Sequence, residues 1–188
     1  MKGFILNAAL SHLETEYAEL PMDSLLDALD APAGGLYSPI CDYADNTLHD
    51  LMETASLLLG VSSRKPSKVI GVHIFSELMA VNSYWLEQSE NTFELLKNHD
   101  NFLNGITKGS FPGFVAPSFS CMEISPDMLE VSYQSTFLLA DIAEGMIDAM
   151  ILYNKESISV EAVKTASPVS CSRQFILRRY ERKPRLTD

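Results

Sequence analysis

The 188-residue sequence predicts an α+β fold, with a helical first part followed by an antiparallel sheet that has helices packed on it. Three observations carry this expectation. Apolar residues recur at helical spacing through the first half, the period shortens to two in the second half, and one strongly apolar helix interrupts the strands.

The elements follow in chain order. Phe4, Ile5, Ala8, Ala9, Leu13 and Tyr17 fall at helical spacing, and Pro21 and Asp23 in "PMDSLLDALD" offer a start signal for a short second helix. "APAGGLYSPICDYADN" is dense in turn residues and reads as loop. From Asn46 to Leu59 a third helix carries Leu48, Leu51, Met52, Ala55, Leu58 and Leu59 and stops at Gly60, a natural C-cap. Pro66 opens a fourth helix, "PSKVIGVHIFSELMAV", and a fifth is expected from about Asn91 to Asn104, stopped by Gly105. "FVAPSFSCMEI" and "MLEVSYQS" form a hairpin around Ser125, Pro126 and Asp127. An apolar helix from Leu138 to Tyr153 follows, and "SISVEAVKT" and "SCSRQFILRRY" supply two more strands.

An apolar fraction of 46% suits one domain over residues 1–188, with a helical N-terminal subdomain over about 1–62 and a larger α+β subdomain over about 63–188. With 25 acidic against 14 basic residues and a formal charge of −11, a nucleic-acid partner is not expected. The basic stretch "RRYERKPRL" (Arg178, Arg179, Arg182, Lys183, Arg185) reads as a solvated charged terminus, the other reading being a dock for an acidic partner surface. Cys41, Cys121 and Cys171 are widely separated and odd in number, which supports neither a disulfide framework nor a cysteine-rich zinc site and points to a reducing compartment. No apolar run reaches about 18 residues, and polar residues arrive too early for a signal peptide, so a cytoplasmic protein off the membrane is expected.

Four stretches carry a family resemblance. They are "MKGFILNAALSHLETEY" at the start, the Gly-Gly-Leu-Tyr loop from Gly34 to Tyr37, "PGFVAPSF" from Pro112, and "YQSTFLLADIAEGMI" from Tyr133. In these the chain resembles the H-NOX (haem nitric oxide/oxygen binding) domains, which serve bacteria as sensors and animals in soluble guanylate cyclase. The resemblance spans nearly the whole chain and implies the H-NOX fold, a haem cofactor and a sensor function. The family's Tyr-x-Ser-x-Arg signature precedes a helix bearing Glu-Gly, as Glu144 and Gly145 stand here. By resemblance, Tyr133 and Ser135 bind the haem propionates, and Pro117 matches a proline that presses on the macrocycle. As a residue, Pro117 is equally well explained as a proline at a strand edge.

The chain departs from that pattern at two places. Phe137 stands where the signature has arginine and offers no donor for a charge-assisted contact. The family ligates haem iron through a histidine on the helix before the "PGFVAPSF" segment, and that position falls on Asn104 counting back from Pro112 or on Leu103 counting forward from Asp100. His99 is the nearest imidazole, four or five residues upstream and therefore displaced by roughly 6–7.5 Å along a helix axis. It reads as a half-exposed helix residue. His73 reads as a core histidine, or else as a ligand or gate on the distal wall. His12 and His49 read as surface residues. Only Cys171 lies near the C-terminus, where some members carry a zinc site, so no zinc is expected. Ile5, Val72, Phe75, Leu78, Phe102, Ile142 and Ile147 are the pocket candidates, each also explained by ordinary packing.

The expected function is a stand-alone sensor with a degenerate haem pocket, binding haem weakly or not at all and signalling in trans to a partner such as a histidine kinase or a cyclic-di-GMP enzyme. A small apolar ligand is a further possibility of the vacated space. The alternative is a working haem-based sensor with an unusual axial ligand. No catalytic motif appears, so no enzyme is expected.

Overall fold

A computed structural model describes residues 2–32, 35–44, 46–62, 64–81, 87–99, 118–135, 140–163 and 172–180. Helices come first: α1 (Gly3–Glu16), α2 (Met22–Ala28), α3 (Thr47–Leu59), α4 (Arg64–Val81) and α5 (Thr92–Lys97). The hairpin β1 (Ser118–Ser125) and β2 (Met128–Gln134) follows, then α6 (Ala140–Tyr153), β3 (Ile158–Val163) and β4 (Ser172–Arg179). This is the α+β fold that the change of period predicts.

Local chemistry sets most of the boundaries. Gly60 closes α3 in the left-handed conformation at φ 66°, which costs glycine nothing. Asn91 caps α5 by accepting the Glu94 N–H through its side chain. Helix α4 starts at Arg64, two residues before the proline expected to open it. Pro66 sits in the first turn, where no intrahelical N–H partner is lost, so it need not be the first residue. The expected fifth helix to Asn104 stops instead at Lys97, where the Asn98 N–H closes it onto the Glu94 and Leu96 carbonyls, and the strand residues before Ser118 fall outside the described residues.

The sheet is antiparallel throughout, in the order β1-β2-β4-β3. Alternate residues of the central strands, Leu129, Val131 and Tyr133 on β2 with Phe175 and Leu177 on β4, are buried on one face. They join Phe75, Phe93, Leu96, Ala143 and Ile147 in one hydrophobic cluster. A second cluster gathers Ile5, Leu6, Leu13, Leu48, Leu51 and Ile74 from α1, α3 and α4, and Ile142 of α6 belongs to it. Helices α4 and α6 therefore serve both cores.

These two helices touch backbone to backbone. A Cβ on Gly71 would stand 2.1 Å from the Ile142 carbonyl oxygen, and one on Gly145 would stand 1.9 Å from the Lys68 carbonyl oxygen. Charge locks the same crossing. Lys68 Nζ lies 3.1 Å from Glu144 Oε1 and 2.7 Å from Asp148 Oδ2.

Candidate functional site

Tyr133 ends the buried row of β2 at 2% exposure, and Ser135 follows just past the strand, partly buried. The ladders place Phe119 of β1 and Arg173 of β4 directly opposite Tyr133, one on each side. Opposed residues of an antiparallel pair share a face, so the phenol, the phenyl ring and the guanidinium form one row under α6. The Phe119 and Tyr133 ring centres are 5.4 Å apart. Arg173 forms an ion pair with Asp141 and lies 4.0 Å from Glu144, both on α6. A hydroxyl beside a guanidinium on a covered strand can receive a carboxylate. Sequence reasoning named the hydroxyls and missed this cation, because cross-strand register leaves no mark in the local pattern. Its strand parity with Phe175 and Leu177 was the available signal.

His99 extends the row and corrects one expectation. It is fully buried, not half-exposed, with its ring edge-on to Phe119 at 4.3 Å. His99 follows the Asn98 cap that ends α5, and there the chain turns its ring inward against Phe119 of β1. Leu103, Asn104, Pro117 and Phe137 fall outside the described residues, as do Phe102 and the Leu78 side chain. The remaining pocket candidates separate between the cores. Phe75 and Ile147 lie in the sheet-side cluster with Val72 packed against it, whereas Ile5 and Ile142 lie in the helical one.

The other histidines also differ from expectation. His12 is buried at 9% exposure, because it falls seven residues after Ile5 on the inward stripe of α1. Burial and the neighbouring His73 hold its imidazole below the usual range, against the opposing effect of Glu16. His73 is 30% exposed at its side chain and approaches Glu77 at 3.9 Å, so it is no core histidine. It follows Val72 and precedes Ile74, at the edge of the apolar stripe. Among the described residues, no group of three or more His, Cys, Asp or Glu side chains gathers as they stand into a metal site.

The start of the basic stretch is structural. Arg178 pairs with Glu161 at 2.8 Å across β3, and Arg179 pairs with Glu156 at 3.0 Å while lying over the Phe93 ring at 4.3 Å. Both arginines belong to β4: Arg178 ties it to β3 and Arg179 holds its end against α5, while residues 181–188 fall outside the described residues. No helix among the described residues is long and apolar enough to cross a membrane.

Comparison with solved structures returns H-NOX proteins. The chain matches an H-NOX protein from S. oneidensis in the Fe(II)NO ligation state with a TM-score of 0.83 at 15% identity, covering 96% of this chain and 100% of that one. It matches the Fe(II) unliganded A71G mutant of the H-NOX protein from K. algicida with a TM-score of 0.83 at 19% identity, over 96% and 97%. It matches the I5F mutant of T. tengcongensis H-NOX with a TM-score of 0.82 at 18% identity, over 96% and 98%. No protein of curated function matches the chain. These likenesses establish the H-NOX fold. The model of the Haem-NO-binding family, a family of haem-based gas sensors, matches residues 2–162, and the chain belongs to that family.

Proposed function

We propose that this chain is a regulatory protein of the H-NOX kind whose haem socket has lost its iron ligand. In this reading it holds another apolar ligand bearing a carboxylate, such as a fatty acid, and reports its state in trans to a partner such as a histidine kinase or a cyclic-di-GMP enzyme. It performs no catalysis of its own.

The observation that carries the reading is the donor set. A neutral imidazole is a suitable axial ligand for haem iron, whereas Asn104 offers a carboxamide and Leu103 a hydrocarbon. The nearest imidazole, His99, is wholly buried against Phe119, which supports a packing role. These residues do not fit an imidazole-ligated haem, and the proposed mechanism does not pass through one. Tyr133 and Ser135 supply hydroxyls for a carboxylate head group, with Arg173, held by Asp141, beside them, and apolar side chains of the sheet-side cluster such as Phe75 and Ile147 suit its tail. A ligand there acts through its different affinity for two arrangements of the helical and sheet cores, which is the state the partner would read.

Titrating the purified protein with haem tests this. A broad free-haem spectrum is expected, and a co-purifying apolar carboxylate should appear in a mass spectrum of the released ligand. A sharp Soret band with near-stoichiometric uptake would replace the proposal with gas sensing through an unusual axial ligand, His99 or His73. Combining Asn104→His, or Leu103→His, with Phe137→Arg should raise haem affinity, which would place the defect in the missing donors.

A further inference from the structure

We infer that His12 and His73, with Glu16 and Glu77 beside them, form a site for a borderline divalent cation such as Zn²⁺, Co²⁺ or Ni²⁺ where α1 crosses α4. The pattern His-x-x-x-Glu occurs on each helix, as His12 to Glu16 on α1 and His73 to Glu77 on α4. At that spacing the imidazole and the carboxylate share a helix face. The two imidazoles then meet across the crossing, with ring centres 5.0 Å apart and planes inclined at 33°.

Three features favour an ion over packing. The Nε2 atom of His12 is sealed from solvent without a hydrogen-bond partner in a residue only 9% exposed, a position an apolar side chain would fill at lower cost. Two imidazoles bound tetrahedrally to one ion, with metal–nitrogen bonds of about 2.0–2.1 Å, hold their ring centres roughly 5 Å apart. His73 Nε2 and Glu77 Oε1 are 3.9 Å apart, too far for a hydrogen bond, and a small rotation of the exposed Glu77 brings them to the roughly 3.4 Å that two donors on one tetrahedral ion keep.

Mixed imidazole and carboxylate donors suit borderline divalent metals rather than Ca²⁺ or Mg²⁺. A ligand must also be deprotonated, and burial already favours the neutral His12 ring. The two histidines anchor the ion. The exposed Glu16 and Glu77 side chains do not converge with them as they stand and would close on the ion by rotation, with water completing the shell. Access is from the His73 side, where that ring is 30% and Glu77 63% exposed.

The test uses the full chain, treated with a chelator and dialysed, then titrated with Zn²⁺ by calorimetry and with Co²⁺ by visible absorption near neutral pH. One saturable site per chain is expected, with Co²⁺ d–d bands and a Zn²⁺-dependent rise in melting temperature. His73→Gln, a change at a partly exposed position, should weaken binding at least tenfold and abolish the bands and the rise, while its metal-free melting curve stays that of the wild type. Glu77→Gln should weaken binding a few-fold, and His49→Gln on α3 should leave it unchanged. Absence of saturable uptake, or uptake that survives in His73→Gln, overturns the inference.

Discussion

Helix α4 makes two seams built on opposite principles. Against α6 it meets backbone to backbone at Gly71 and Gly145, and Lys68, Glu144 and Asp148 bind the crossing with charge. Against α1 it meets through side chains, with Ile70 and Ile74 packed among Ile5, Leu6 and Leu13 and a histidine pair at the margin. The first seam has no room to slide, since any shift drives backbone into carbonyl oxygen. The second is greasy and carries an unsatisfied ring nitrogen, so it is the one able to change its packing at modest cost.

The sharpest way to break this contrast is Gly145→Ala. Overpacking a core normally costs about 1–3 kcal/mol, but here the obstacle is the Lys68 carbonyl at 1.9 Å and cannot rotate away, so a loss of about 4 kcal/mol or more is expected in urea denaturation. A variant as stable as the wild type would show that the α4 and α6 seam opens easily. Next in size, Leu13→Ala at a fully buried position of α1 should cost about 2–5 kcal/mol, and less than a rigid site would because the α1 seam can partly collapse into the space. A cost at the top of that range would make the two seams equally stiff.

Lys68→Met sharpens the comparison more gently. It leaves Glu144, at 4% exposure, without its lysine partner, and a loss of roughly 1–3 kcal/mol is expected at neutral pH. The same lysine gives a pH signature. Burial works against its ammonium, yet hydrogen bonds to Asp148 and Glu144 outweigh burial and raise its pKa above the ordinary 10.5. The folded state then keeps a proton that the unfolded chain releases. This stabilisation is fully present below pH 10.5 and is lost as pH rises through the folded value, so denaturation midpoints should fall more steeply with alkaline pH in the wild type than in Lys68→Met.

What the sequence revealed and what it hid divide along a physical line. Local periodicity and capping were legible, as in α3 ending at Gly60 and the hairpin around Pro126 and Asp127. Buried histidines were misread: the spacing of His12 from Ile5 says core although its composition says surface, and His99 is buried past the end of α5, where helical periodicity gives no guide. Arg173 was invisible as a neighbour of Tyr133 because the pairing of β2 with β4 joins distant parts of the chain. The identities of Asn104, Leu103 and Phe137 are read directly from the sequence, while the roles of those positions belong to the proposal.

The strand order has a kinetic corollary. β1 and β2 form one local hairpin and β3 pairs with β4 next to it in the chain, but joining the two pairs brings Met128 against Arg178, about fifty residues apart. Closing so long a loop is slow and entropically costly, so the central ladder should be the last part of the sheet to assemble and the first to part. α6 lies within that loop, with Asp141 paired to Arg173 of β4 and Ala143 and Ile147 in one cluster with Leu129 of β2 and Phe175 of β4, which makes the helix a clasp holding two half-sheets together.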